Sequence, residues 1–281
     1  MPQIQSDDLK GVSRTLLIPL HYRVEESRNP ASGFRDEIGE RFHDAIAYDW
    51  GGFPADPAQG PLAAMATAVM NKRFAIFDDQ VRAFLEQAPD GLVVNLGAGL
   101  DTRFHRLDNS RVEWIDLDLP DVIAFRKQLH EPECPRHRLL AASVLDDGWV
   151  AEIQRQARSR VLFVAEGLFM YFTEEEHRKL FTRLAEHFPG QGMLFHTIAP
   201  SLFQELAQYR LTFASRVSMK VDMRWGLDDS RQVPALHPGV RFVREFPLMD
   251  GCEALPEPIR RTWSPAMAKQ VMRIVLVRFR D

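Results

Sequence analysis

Apolar residues recur every three to four positions through much of the first 90 residues, the spacing that lines one face of a helix. Residues 15–26 form a mixed apolar segment, and 35–46 carry Ile38, Phe42 and Ile46 at helical intervals. Phe74, Phe77, Val81, Phe84 and Leu85 mark one face of a further helix, and the Gly- and Pro-rich stretch 49–61 before it predicts a loop. From residue 91 the rhythm changes. Short apolar runs at Leu92–Leu96, 112–117, 139–144 (the weakest), Val161–Ala165 and 193–198 alternate with helical stretches at 120–129 and 173–187. Thr173 followed three residues later by Glu176 reads as a capping box. Strands alternating with helices predict a parallel sheet covered on both faces. The last third breaks the alternation. Residues 199–235 are helical, irregular and polar enough for an insertion or lid, and strands follow at 240–246 and 271–279 with the Pro-rich stretch 255–265 between them.

Composition narrows the class without naming it. The chain has 281 residues, 45% hydrophobic and 26% charged, which supplies ample material for a core. A formal charge of −4 points away from nucleic acid and from an anionic membrane as main partner. Two cysteines, Cys134 and Cys252, give no disulfide framework. Residues 1–10 are polar, without the apolar stretch of a signal peptide, and no apolar run approaches the ~20 residues of a membrane span. The expectation is a soluble cytoplasmic protein.

The chemistry gathers at the ends of the expected strands. The first ends in Gly97-Ala98-Gly99, a tight turn with no Cβ where a ligand must come close. A dinucleotide fold places a third glycine three positions after the second, and here that position is Thr102, preceded by Asp101. An acid at the mouth of the turn would repel a pyrophosphate and suit a cationic sulfonium nucleoside, which favours S-adenosyl-L-methionine over NAD. The second strand ends in Asp116-Leu117-Asp118-Leu119-Pro120, 17 to 19 residues after Gly99, where doubly wound folds hold ribose hydroxyls on a carboxylate. The fourth ends in Glu166-Gly167, at the crevice where such sheets bind ligands, and Tyr171 follows. Ala165-Glu166-Gly167 is not a nucleophile elbow. His130-Glu131-Pro132-Glu133-Cys134-Pro135-Arg136-His137 has spacings a zinc site could use, but it lies in a charged loop without a second ligand cluster, and no metal is assigned to it.

These motifs resemble the leucine carboxyl methyltransferase family, in particular the bacterial branch similar to tetracenomycin-type polyketide O-methyltransferases. The resemblance runs from about residue 15 to about 195. It is most specific in Asn95-Leu96-Gly97-Ala98-Gly99-Leu100-Asp101-Thr102-Arg103, supported by Asp116 to Val122, by Ala165 to Tyr171, and by Arg73 ahead of the first strand. It implies an α/β fold of class I methyltransferase type: a Rossmann-like, doubly wound, mostly parallel sheet with an N-terminal helical cap (1–90) and a core (91–281) carrying a lid at about 199–235. It also implies that Arg73 pairs with the methionyl carboxylate, a task suited to a guanidinium fork, with Arg23 as a second partner. Gly97, Ala98 and Gly99 would pack under the cofactor with Asp101 beside them. Asp118 and Leu119 would hold the ribose, and Glu166 with Gly167 the methionyl ammonium. Ser143-Val144 stands where many members carry Asp-Leu against adenine.

Methyl transfer from a sulfonium is an in-line displacement, served chiefly by near-attack positioning. A carboxylate acceptor needs no base, whereas a hydroxyl acceptor gains from one, for which Tyr171 and His196 are the candidates. The expected activity is O-methylation of a small molecule, polyketide-like or a carboxylate. An NAD-dependent oxidoreductase and a non-catalytic cofactor-binding protein are the alternatives.

Overall fold

The computed structural model describes residues 4–6, 9, 11–53, 55–157, 160–200, 223–250 and 269–280. A short strand β1 (Ile4–Gln5) and a 3-10 turn (Gly11–Leu16) lead into α1 (Leu17–Arg28), α2 (Glu37–Ala45), β2 (Ile46–Ala47) and the long α3 (Pro61–Gln87). Local chemistry sets the boundaries. The Asp36 side chain caps α2 by accepting from Gly39 N–H, and Pro61 opens α3, where its missing N–H costs nothing.

The core then alternates β3 (Leu92–Leu96), α4 (Arg103–Leu107), β4 (Glu113–Asp118), α5 (Pro120–Lys127), β5 (His137–Ala141), α6 (Gly148–Gln156), β6 (Val161–Ala165), α7 (Glu174–His187) and β7 (Gly192–Ile198), and closes with β8 (Val240–Pro247) and β9 (Met272–Phe279). The sheet has seven strands in the order β5-β4-β3-β6-β7-β9-β8. The first five are parallel, and β9 runs antiparallel between β7 and β8. This is the class I methyltransferase arrangement. The strand order reverses direction between β3 and β6, and that switch point opens a crevice at the carboxyl ends of the strands.

Residues alternate between the faces of the sheet. Val94, Leu96, Phe163 and Phe195 join Trp149 and Ile153 of α6 and Leu180, Phe181 and Leu184 of α7. Val93, Leu162, Val164 and Leu194 join Phe77, Val81 and Leu85 of α3. The second half of α3 is thus the layer covering one face of the sheet, while α1 and α2 pack about Leu17, Leu20, Val24, Phe42 and Phe53. β3 and β6 are buried along their full length, so they read as unbroken apolar runs.

Every strand expected within residues 91–198 and 240–279 is present, β3 and β6 with the expected ends and the others with ends moved by at most three residues. The weak third strand begins at His137, because its ladder starts where His137 pairs with Trp114. The capping box at Thr173 and Glu176 forms as read. The short helices α4 and α6 go beyond the sequence reading. Of the expected lid, residues 201–222 lie outside the described residues, as does the Pro-rich stretch 255–265. At its described end Trp225 stacks on His177, with ring centroids 3.8 Å apart, as part of the core.

Candidate active site

A cavity of about 440 Å³ fills the switch-point crevice, within the range of small-molecule sites. Arg73, Gly97, Ala98, Gly99, Asp101, Asp118, Leu119, Ser143, Val144, Glu166, Gly167 and Tyr171 all line it. So do Arg23 and the 12–19 segment, whose Leu16 and Ile18 form part of its apolar wall.

The floor is the turn after β3. Gly97 and Gly99 have φ of 65° and 53°, the left-handed region. Gly97 and Ala98 donate their N–H groups to Leu117 O, which fixes the turn against β4. A Cβ on Gly97 would come within 2.7 Å of Leu168, and one on Gly99 within 3.2 Å of Leu16. Asp118, at the end of β4, accepts Gly99 N–H on Oδ2 at 2.6 Å and Leu119 N–H on Oδ1 at 2.7 Å. One lone pair per oxygen thus remains for an outside donor, the pattern that two vicinal ribose hydroxyls require. Burial pushes the Asp118 carboxyl upward against the pull of those two N–H groups.

The opposite wall is an ion-pair network. Glu166 accepts Arg73 Nε on Oε1 at 2.9 Å and an Arg103 terminal nitrogen on Oε2 at 2.6 Å. Burial opposes its charge, but Arg73 and Arg103 hold its pKa down to about 2. Arg103 also binds Asp78 at 2.7 Å and pairs with Asp101. Arg106 joins Asp78 to Asp36, and Arg23 joins Asp36 at 2.9 Å to Leu100 O at 2.6 Å. Against the effect of burial, Arg23, Arg106 and the Thr102 hydroxyl bring Asp36 to about 2. Arg73 uses only Nε within this network. Its two terminal nitrogens make no other bond among the described residues, a free fork for a carboxylate.

Two sequence expectations change here. Asp101 lines the cavity, but its carboxylate turns inward to Asn95 Nδ2 (3.0 Å), to the Arg103 N–H (2.9 Å) and to the Arg103 guanidinium. Its charge is neutralised inside the protein and does not face a ligand, so the electrostatic argument against a pyrophosphate loses its footing. His196 is not among the cavity-lining residues. Strand alternation places it with Leu194 and Ile198 on the α3 face. It is fully buried, and neither ring nitrogen has a partner among the described residues. Burial, with Arg73 adding to it, lowers its pKa to about 3. A ring so placed, fully buried and off the cavity wall, is not positioned as a general base, contrary to the sequence expectation.

Tyr171 does reach the cavity and donates to Thr15 Oγ1 at 3.3 Å. Burial raises its pKa despite Thr15 and Arg73, so it is a phenol donor at neutral pH. The Ser143 hydroxyl accepts Leu145 N–H at 3.2 Å, and Val144 O accepts from Trp149 Nε1 and Arg183. These bonds hold the 143–147 loop at the cavity wall that Asp118 also lines. Sequence reasoning passed over Asp36 and gave no role to Asp78, Asn95, Arg103 and Arg106. Only Asn95 carried a local signal, an amide inside the otherwise apolar β3; the four charged residues lie near other charged residues in the chain.

Comparison with known proteins decides the class. The model of the leucine carboxyl methyltransferase family matches residues 17–185. The chain belongs to this family. It is 30% identical over 248 residues to the tetracenomycin polyketide synthesis O-methyltransferase TcmP of Streptomyces glaucescens, covering 86% of this chain and 85% of that protein. It is 28% identical over 253 residues to the S-adenosyl-L-methionine-dependent methyltransferase dpfgK of Gibberella zeae, covering 86% and 84%. A solved Thermobifida fusca structure, of a protein assigned as a methyltransferase, superposes over 98% of this chain and 96% of its own with a TM-score of 0.57 at 12% identity, a likeness of fold. The chain is an S-adenosyl-L-methionine-dependent methyltransferase, and the oxidoreductase reading falls. No helix among the described residues is long and apolar enough to cross a membrane.

Proposed function

We propose that this methyltransferase transfers the methyl group to an oxygen of a small, largely apolar acceptor of secondary metabolism, a polyketide-like hydroxyl or carboxyl compound. The observation that carries the reading is the apolar side of the cavity. Leu16, Ile18, Met70, Met170 and Phe172 line it next to the polar cradle of Asp118, Arg73 and Glu166. The relationship to TcmP over most of both chains supports the same acceptor class.

The cradle fits the methyl donor. Asp118 would hold the ribose, the free fork of Arg73 the methionyl carboxylate, Glu166 the ammonium, and the 143–147 loop the adenine. Bound there, the donor supplies an electrophilic methyl on a sulfonium, a leaving group that departs neutral. The protein's part is position. The buried ion-pair network fixes Glu166 and Arg73, and the apolar wall sets the acceptor. Tyr171 lines the cavity with its proton given to Thr15, and its oxygen is left to accept a hydrogen bond from a hydroxyl acceptor. A carboxylate acceptor then needs no proton removed, and a hydroxyl acceptor gives its proton to solvent.

Methyl-labelled cofactor incubated with aromatic hydroxy acids tests this reading. Label should enter the organic product. Release as methanol in mild base marks a methyl ester, and retention marks an ether. Label reaching only nitrogen acceptors or protein would overturn the proposal.

A further inference from the structure

Outside the cavity the described residues bring one donor cluster together: His105 of α4, Glu131 of the α5–β5 loop and His137 at the start of β5. One ligand atom from each lies within 4.8 Å of the others. His105 Nε2 is 3.7 Å from Glu131 Oε2, and His137 Nδ1 is 4.0 Å from Glu131 Oε1. Both distances are too long for hydrogen bonds. His105 Nε2 is shielded from solvent and has no hydrogen-bond partner among the described residues. A buried nitrogen left so calls for an explanation.

The surroundings orient the side chains of this cluster. His137 Nε2 lies 2.9 Å from Asp116 Oδ2, the carboxylate–histidine arrangement that orients metal-bound imidazoles, and its Nδ1 is turned toward Glu131. Arg126 takes Glu131 Oε2 at 2.9 Å, which leaves Oε1 facing His137. Two carboxylates against one guanidinium give the pocket net negative charge.

We propose that His105 Nε2, His137 Nδ1 and the Glu131 carboxylate bind a divalent metal ion of the zinc class, with solvent as fourth ligand. Two imidazoles and a carboxylate are a zinc donor set. Tetrahedral bonds of about 2.0–2.2 Å separate ligand atoms by about 3.3 Å, so side-chain movements of roughly 1 Å complete the site. The charged run 130–137 supplies Glu131 and His137, and the second ligand source it lacked in sequence is His105, brought in by the turn after β3. The ion ties α4 to the β4–β5 edge. This site stands independently of the methyl acceptor.

The test is a titration of tag-free, chelator-treated protein with Co²⁺, read by visible absorption and followed by Zn²⁺ displacement. We expect one Co²⁺ per chain with the intense bands of four-coordinate cobalt, displaced by zinc, and a higher melting temperature with zinc. His105→Ala and the space-filling His105→Gln should each weaken Co²⁺ binding about tenfold or more. The metal-free melting temperature of His105→Gln should stay near the wild-type value, because His105 Nε2 has no hydrogen bond to lose among the described residues, whereas His105→Ala also loses ring contacts to Phe104 and His137. Absence of stoichiometric binding by folded wild-type protein, or wild-type affinity in both variants, would overturn the site.

Discussion

Asp118→Asn separates the two roles of the carboxylate at the end of β4. In the wild type, Oδ2 accepts Gly99 N–H at 2.6 Å and Oδ1 accepts Leu119 N–H at 2.7 Å. An amide has one oxygen, so its NH₂ must face one of these N–H groups, donor against donor. The loss of one charge-assisted bond, with an N–H left unpaired, costs about 1.5–3 kcal/mol of folding stability. The same exchange removes one of the two acceptors proposed for the ribose. If that contact is also charge-assisted, it weakens S-adenosylhomocysteine binding by another ~1.5–3 kcal/mol, roughly 10- to 150-fold. Urea unfolding measures the first loss, and calorimetric titration of the folded variant measures the second. A variant less stable by the stated amount, yet binding within about threefold of wild type, would show that Asp118 only props the turn and does not hold the ribose.

Gly97→Ala puts a Cβ 2.7 Å from Leu168 at a φ of 65°, and should cost about 1–3 kcal/mol in urea unfolding. Arg103→Lys replaces a planar fork that reaches Asp78, Asp101 and Glu166 with a point charge. It should lose about 3–5 kcal/mol of stability, read from the denaturation midpoint, because buried carboxylates are left uncompensated. Stability should also fall with acid before the carboxylates titrate. Burial lowers His177 to about 4 and His196 to about 3 from 6.5, so between pH 6.5 and those values the unfolded chain binds the extra protons. Unfolding free energy should drop as pH falls through that window, by up to about 1.4 kcal/mol per pH unit for each histidine. A flat profile from pH 6.5 to 5 would contradict their burial in the neutral form.

The sheet was legible because β3, β6 and β7 carry apolar runs that few other elements produce, and β3, β4 and β6 end in chemical markers. Gly97-Ala98-Gly99, Asp118 and Glu166 sit where strand order and carboxyl ends must converge, so a linear reading could place them in one crevice. What the sequence hid was direction. Asp101 and Glu166 are both acids beside the turn, but Asn95 and Arg103 draw Asp101 inward, and nothing in spacing distinguishes them. His196 lies on an expected strand whose side-chain phase decides its face, and the strand was long enough for either reading. Asp36 and Asp78 come from α1–α2 and α3, 20 or more residues from the turn they support, and such long-range pairs leave no local pattern. Leu16 was legible only as part of an apolar helix, not as the residue that packs over Gly99.

A methyl donor bound on the turn after β3, between Asp118 and the Arg73–Glu166 pair, would shield the backbone around it. Amide hydrogen exchange with and without saturating S-adenosylhomocysteine reads this. Exchange should slow in the segments holding Gly97 to Leu100, Asp118 and Leu119, Ser143 to Leu145 and Glu166 to Leu168, and in the overlying 12–19 segment. Binding that leaves these amides unchanged while protecting others would put the cofactor elsewhere in the fold.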